Sequence, residues 1–108
     1  MRVLCICDYG HSRSVAMARG LHGRGHEAVA IGSQTAGLHA IQLLSHYWKP
    51  DKIILANPHN GNEIAIEDKV ACIQWNVGPD VWSNPYHPDL IAKVEEFLNR
   101  MDFPRLRG

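Results

Sequence analysis

Four short apolar runs, RVLCIC, EAVAI, DKIILA and VACIQWNV, alternate along the chain with segments of helical spacing, and this alternation limits the fold more than any other feature. Apolar side chains at successive positions, rather than at every second one, imply strands covered on both faces. Helices that connect parallel strands supply that cover. Val15, Met17, Ala18 and Leu21 form one apolar face over residues 13–22, and Leu38, Ile41, Leu44 and Trp48 do the same over 35–48, with Pro50 as a stop. The last helix has the clearest stripe, Leu90, Val94, Phe97, Leu98 and Met101. A shorter helical turn is expected at 63–67, strands at 2–7, 27–31, 51–56 and 70–77, and a tail from Phe103 onward. Right-handed crossovers then predict an α/β fold, a small doubly wound four-stranded parallel sheet with strand order 2-1-3-4 and helices on both faces. At 108 residues the chain holds one core, so residues 1–108 read as a single domain.

In sheets of this kind ligands gather outside the carboxyl ends of the strands, where the strand order reverses. The first strand borders that point, and its carboxyl end runs into CDYGHSRS, residues 7–14. A loop that passes from a strand into a helix start turns backbone N–H groups inward and adds the positive end of the helix dipole, which makes a cradle for an anion. Cys7 at the base of the cradle is suited to act as a thiolate nucleophile. Arg13, at the first helical turn, can grip two phosphate oxygens with its planar fork, as a lysine cannot. Ser14 can donate its hydroxyl to the sulfur, and Gly10 permits a tight wrap. Asp8 would oppose both thiolate and anion, so its side chain is expected to point outward. Tyr9 and His11 are placed to line the mouth. The bland alternative for Cys7 is a small apolar residue closing a buried strand, and the spacing to Arg13 argues against it.

The pattern C-x5-R-S directly after the first strand resembles the phosphate-binding loop of the low-molecular-weight protein tyrosine phosphatase family. That resemblance implies a cysteine-dependent phosphatase that hydrolyses phosphomonoesters, phosphotyrosine above all, through a phosphocysteine intermediate and without a cofactor. It makes Cys7 the nucleophile, Arg13 the phosphate clamp and Ser14 the partner of the thiolate. The general acid of the family is an aspartate in a late loop, and GPDVW, residues 78–82, offers Asp80. Asp89, before the last helix, is the rival, disfavoured because a capping carboxylate is already engaged. Asp8, Tyr9, Gly10, His11, Ser12 and Ser14 would surround the substrate, and Trp82, expected on an exposed loop, would stack on an aromatic one.

Other functions fit parts of the pattern. The same segment matches C-x-x-G-x-S-x-S, similar to the phosphorylated cysteine loop of cellobiose-type sugar phosphotransfer subunits, so a cysteine phosphocarrier is the alternative; Arg13 and Asp80 weigh against it. Arsenate reduction uses a like loop but calls for more cysteines than Cys5, Cys7 and Cys72. A resident metal is not expected: His39 and His46 lie seven residues apart on one helix, a rise of about 10 Å. Eleven Lys and Arg balance eleven Asp and Glu, so no overall field draws the chain to nucleic acid or to a membrane. A phosphorylated protein or a small phosphomonoester is the expected partner. With no leader, no 18-residue apolar run and an odd number of thiols, a reducing, cytoplasmic setting is expected.

Overall fold

A computed structural model describes residues 1–9, 12–34, 37–57, 72–78, 81–82, 84–101 and 103. Gly10, His11, Asp80 and the turn expected at 63–67 lie outside the described residues.

The chain order is β1 (Arg2–Cys7), α1 (Arg13–Gly23), β2 (Glu27–Gly32), α2 (Gly37–Trp48), β3 (Lys52–Leu55), β4 (Cys72–Gln74) and α3 (Pro88–Arg100). All strand pairings are parallel, and the sheet order is β2-β1-β3-β4, the doubly wound arrangement expected from the alternating pattern. β1 runs between β2, with Cys7 opposite Gly32, and β3, with Ile6 opposite Leu55. The strand order therefore reverses at β1, and its carboxyl end opens between two neighbouring strand ends.

The parity of β1 divides the core. Val3, Cys5 and Cys7 face a cluster completed by Met17 and Leu21 of α1 and by Leu90, Val94, Phe97 and Leu98 of α3. Leu4 and Ile6 face the opposite cluster, where Ile41 of α2 meets Ile31, Ile53 and Leu55, with Leu44 and Trp48 packed against it. Successive residues of a strand point to opposite faces, so each face of β1 receives its own helical layer. The side chain of Leu38 is outside the described set. Met101 ends its stripe differently: it is the C-cap of α3 and is exposed, because the last turn runs past the edge of the core.

Close packing of α1 on α3 depends on Gly20. A Cβ there would stand 2.6 Å from Val94 Cγ1 and 3.2 Å from Leu98 Cδ1, so only glycine admits this approach. Phe103, expected to begin a tail, is buried in the α1/α3 cluster, its ring edge-on to His26 at 5.9 Å. Phe103 N–H donates to Leu98 O, which folds the chain back beneath α3. Among the described residues no helix is long and apolar enough to cross a membrane.

Candidate active site

The site starts from the strand that supplies Cys7. Its thiol closes the α1/α3 face of β1 at 1% exposure, and the next backbone carbonyls continue the ladder beyond the strand: Ser33 N–H donates to Cys7 O and Gln34 N–H to Asp8 O, at 2.9 and 2.6 Å. The chain then turns into α1, whose first helical bond runs from Ala16 N–H to Ser12 O at 2.9 Å. This turn carries Ser14 back over the strand end, where Ser14 Oγ and Cys7 Sγ share a hydrogen bond of 3.0 Å. Serine and thiol are both buried, and a hydroxyl in that place can stabilise a sulfur that loses its proton. The two residues expected to act together are thus in direct contact.

The starts of α1 and α3 differ in a way that bears on the site. Ser12 stands at the N-cap of α1 without a side-chain capping bond, and the first turn has no acidic residue. At the start of α3 His87 Nδ1 accepts the Asp89 N–H at 3.2 Å, and Asp89 itself lies in the first turn. The dipole of α3 is already answered by protein groups, and that of α1 is not answered by any acidic side chain of its own first turn. His87, and not the Asp89 carboxylate expected there, is therefore the cap. Pro88 in the first helical turn is the signal that marks it, since proline belongs just inside a cap. The carboxylate of Asp89 is exposed and does not cap, so the ground on which it was disfavoured as an acid does not hold.

Arg13 is the largest side chain below 2% exposure. Its Nη1 donates to Asn57 Oδ1 and to the carbonyl of Gly78, both at 3.0 Å. These acceptors follow β3 and β4, so one nitrogen ties the ends of three neighbouring strands together. Gly78 adopts φ +86°, a conformation open to glycine at little cost. Neither Asn57 nor Gly78 was picked out from sequence, although each sits in a loop that leaves a strand on the functional edge. With both Nη1 hydrogens used, Nε and Nη2 remain, and together they form the side-on edge of the guanidinium. Among the described residues Nε has no hydrogen-bond partner, and Nη2 meets the Asp8 carboxylate, Oδ2 at 3.7 Å. Two parallel N–H groups on a buried, immobilised cation are the geometry that binds two oxygens of one phosphoryl group.

Chain comparison adds no further constraint: no family model, no curated protein and no solved structure matches this chain.

Asp8 corrects one expectation. Instead of pointing outward, its carboxylate turns toward Arg13, because a guanidinium in a desolvated place attracts a carboxylate within reach. Tyr9 is 53% exposed beside the loop. Trp82, expected on an exposed loop, is half-buried: its ring packs on the α1/α3 cluster and meets the His87 ring edge-on at 5.3 Å. An indole is large enough to be covered wherever a loop crosses an apolar face. The following residues are also fastened, since the Arg19 guanidinium stacks over the Tyr86 ring at 4.2 Å. Asp80 lies outside the described residues.

Cys5 lies two residues before Cys7 on the same face, inside the core cluster. Burial first, and the neighbouring Cys7 sulfur second, push its thiol far above the ordinary range. It is a packing residue. Cys72 in β4 is half-buried against the α2 face, on the opposite side of the sheet from Cys7. All three cysteines are in the thiol state. Among the described residues no three His, Cys, Asp or Glu side chains converge as a metal site.

Proposed function

We propose that the chain is a cysteine-dependent phosphatase acting on phosphomonoesters, with aryl esters such as phosphotyrosine as the favoured class. The observation that carries this reading is the open Nε/Nη2 edge of Arg13, held on the same turn that brings Ser14 to Cys7. The resemblance of CDYGHSRS to the low-molecular-weight tyrosine phosphatase loop points the same way.

In this mechanism the Cys7 thiolate attacks phosphorus in line with the leaving oxygen. The Arg13 edge and the start of α1 hold the equatorial oxygens as charge develops on them. The leaving oxygen takes a proton from Asp80, the P–O bond breaks, and phosphocysteine remains. Water then attacks phosphorus, with the same carboxylate accepting its proton, and the thiolate and inorganic phosphate are released. Ser14 stabilises the sulfur both as nucleophile and as leaving group. Tyr9, exposed beside the loop, is better placed than the packed Trp82 to meet an aromatic substrate.

Hydrolysis of p-nitrophenyl phosphate by the wild type and by Cys7→Ser tests the class: activity should vanish in the variant and should not respond to a chelator. Asp80→Asn tests the acid. A positioned acid contributes about 10²–10⁴-fold, and it matters most for a poor leaving group. Phenyl phosphate should therefore slow by something in that range and p-nitrophenyl phosphate by much less. Equal losses would transfer the test to Asp89→Asn. Failure to hydrolyse any ester, together with uptake of phosphate from a phosphohistidine donor onto Cys7, would make the chain a phosphocarrier instead.

A further inference from the structure

Arg13 is held at one nitrogen by two acceptors of the same kind. Nη1 donates to Asn57 Oδ1 and to Gly78 O, both at 3.0 Å, and both acceptors are neutral. They belong to different strand exits, Asn57 following β3 and Gly78 following β4. A planar guanidinium tied in this way, with its stem buried, has lost the rotation of its last side-chain bonds. Among the described residues the carboxylate that faces it, Asp8 Oδ2, stands at 3.7 Å, beyond a hydrogen bond. The short contacts recorded for Arg13 are therefore to uncharged groups.

We propose that Asn57 is a positioning residue of the site: its amide fixes the plane of the Nε/Nη2 edge of Arg13 and, being neutral, leaves the charge of the guanidinium to the ligand. The proposal rests on the reading of this loop as a phosphate site and names what orients its clamp. Orientation matters because two parallel N–H bonds to one phosphoryl group require a donor plane set within narrow limits. The carbonyl of Gly78 alone would let the group pivot about a single contact, and the Asn57 oxygen stops the pivot. Neutrality matters because a carboxylate at the same distance would answer the charge that has to attract the phosphoryl oxygens. Aspartate would place an acceptor oxygen at the same reach, so the two side chains differ there in charge and not in length. Asparagine separates two effects, fixing the donor and neutralising it, that a carboxylate would combine.

Asn57→Ala drops the tie without adding charge, and Asn57→Asp keeps the tie and adds one. Hydrolysis of p-nitrophenyl phosphate and isothermal titration of phenylphosphonate, both read per folded molecule with urea unfolding as the control, compare these variants with wild type. Asn57→Ala should lower kcat by about 10–10²-fold, the scale of a misplaced group, and weaken phenylphosphonate by a smaller factor, because the transition state makes the stricter demand on geometry. Asn57→Asp should unfold no earlier than wild type, yet bind phenylphosphonate more weakly by something on the order of tenfold and show a raised KM. Side-chain nitrogen NMR gives a reading that does not pass through activity: wild type should show separate Nη1 and Nη2 signals for Arg13, the mark of stopped rotation, and Asn57→Ala should merge them. Losses in Asn57→Ala that vanish once the folded fraction is counted would overturn the proposal and leave Asn57 as a tie between strand ends. Phenylphosphonate bound by Asn57→Asp as tightly as by wild type would overturn it too, as would merged Nη signals in wild type. Should Asn57→Ala fail to fold, the Asn57→Asp titration and the wild-type spectrum still decide. If wild type itself binds no phenylphosphonate and hydrolyses no ester, the phosphate-site reading fails and this inference falls with it.

Discussion

Two buried arginines stand at the two ends of α1, and they are used in opposite ways. Arg24, the C-cap, is 5% exposed, and its partners are all at hydrogen-bond distance: Nη1 donates to Phe103 O at 2.7 Å, and Nη2 to Glu95 Oε2 and Asn99 Oδ1 at 2.8 and 2.7 Å. Arg13, at 1% exposure, receives neutral acceptors on Nη1 and, among the described residues, a carboxylate at 3.7 Å on Nη2. Nε lacks a partner in both. What separates them is Nη2, closed by a carboxylate and an amide at hydrogen-bond distance in one case and faced by a carboxylate at 3.7 Å in the other. Arg24 has its charge answered within the fold and clamps α1 to α3 and to the residues after it. Arg13 keeps a donor edge and a charge that an external anion can use. Burial alone therefore does not mark a functional arginine; the test is whether its second nitrogen is satisfied.

The largest effect expected from this contrast is on activity. Arg13→Lys keeps a cation but loses the parallel edge, and kcat/KM for phosphate ester hydrolysis should fall by about 10²–10³-fold, the scale of a lost transition-state donor. Arg24→Lys should leave activity per folded molecule within about twofold. Equal losses in the two variants would erase the distinction between the helix ends. Stability should show the reverse order. Arg24→Met leaves the Glu95 carboxylate, the Asn99 amide and the Phe103 carbonyl without their donor, and urea unfolding should register a loss on the order of 2–4 kcal/mol. Arg13→Lys, which can still reach neutral acceptors, should lose less than about 2 kcal/mol. A larger loss there would mean that Arg13 holds the strand ends together before it does anything else.

Gly20, between the two ends, sharpens the comparison at smaller scale. Gly20→Ala adds a Cβ where Val94 Cγ1 stands 2.6 Å away, which should cost about 1–3 kcal/mol of packing, offset by about 1 kcal/mol of helix propensity. The variant should melt earlier with kcat unchanged. A change in kcat would mean that the seating of α1 on α3 is transmitted to the loop at its start. The smallest expected effect belongs to the other helix: His87→Ala removes a side-chain cap and should cost about 1 kcal/mol, with hydrolysis unaffected.

Much of the architecture was legible because it follows from local periodicity. Continuous apolar runs alternating with helical stripes leave few options besides a covered parallel sheet, and the right-handed crossover rule narrows these to the observed order β2-β1-β3-β4. The start of α1 at Arg13 and the Cys7–Ser14 contact were legible for the same reason, since six or seven residues of turn leave little freedom in where the ends meet. The errors fall where a side chain found its partner far along the chain. Asp8 turned inward because a guanidinium five residues on was already fixed by Asn57 and Gly78. Trp82 and Phe103 went into the core because α1, more than 50 residues earlier, and α3 together offer an apolar face that covers them. Arg24, which no sequence pattern marks, became a clamp because α3 passes beside it.

The sequence by itself determined which segments are strands and helices, and that a thiol, a hydroxyl and a guanidinium share one short loop at the reversal of strand order. Tertiary structure alone decided which arginine is neutralised and which keeps an open edge, and that Asp8 rather than solvent faces that edge. The reason is physical: local spacing sets the contacts inside a turn or along a helix face. The charge left on a buried group depends on acceptors from β3, β4 and α3 that only the folded chain brings within 3 Å.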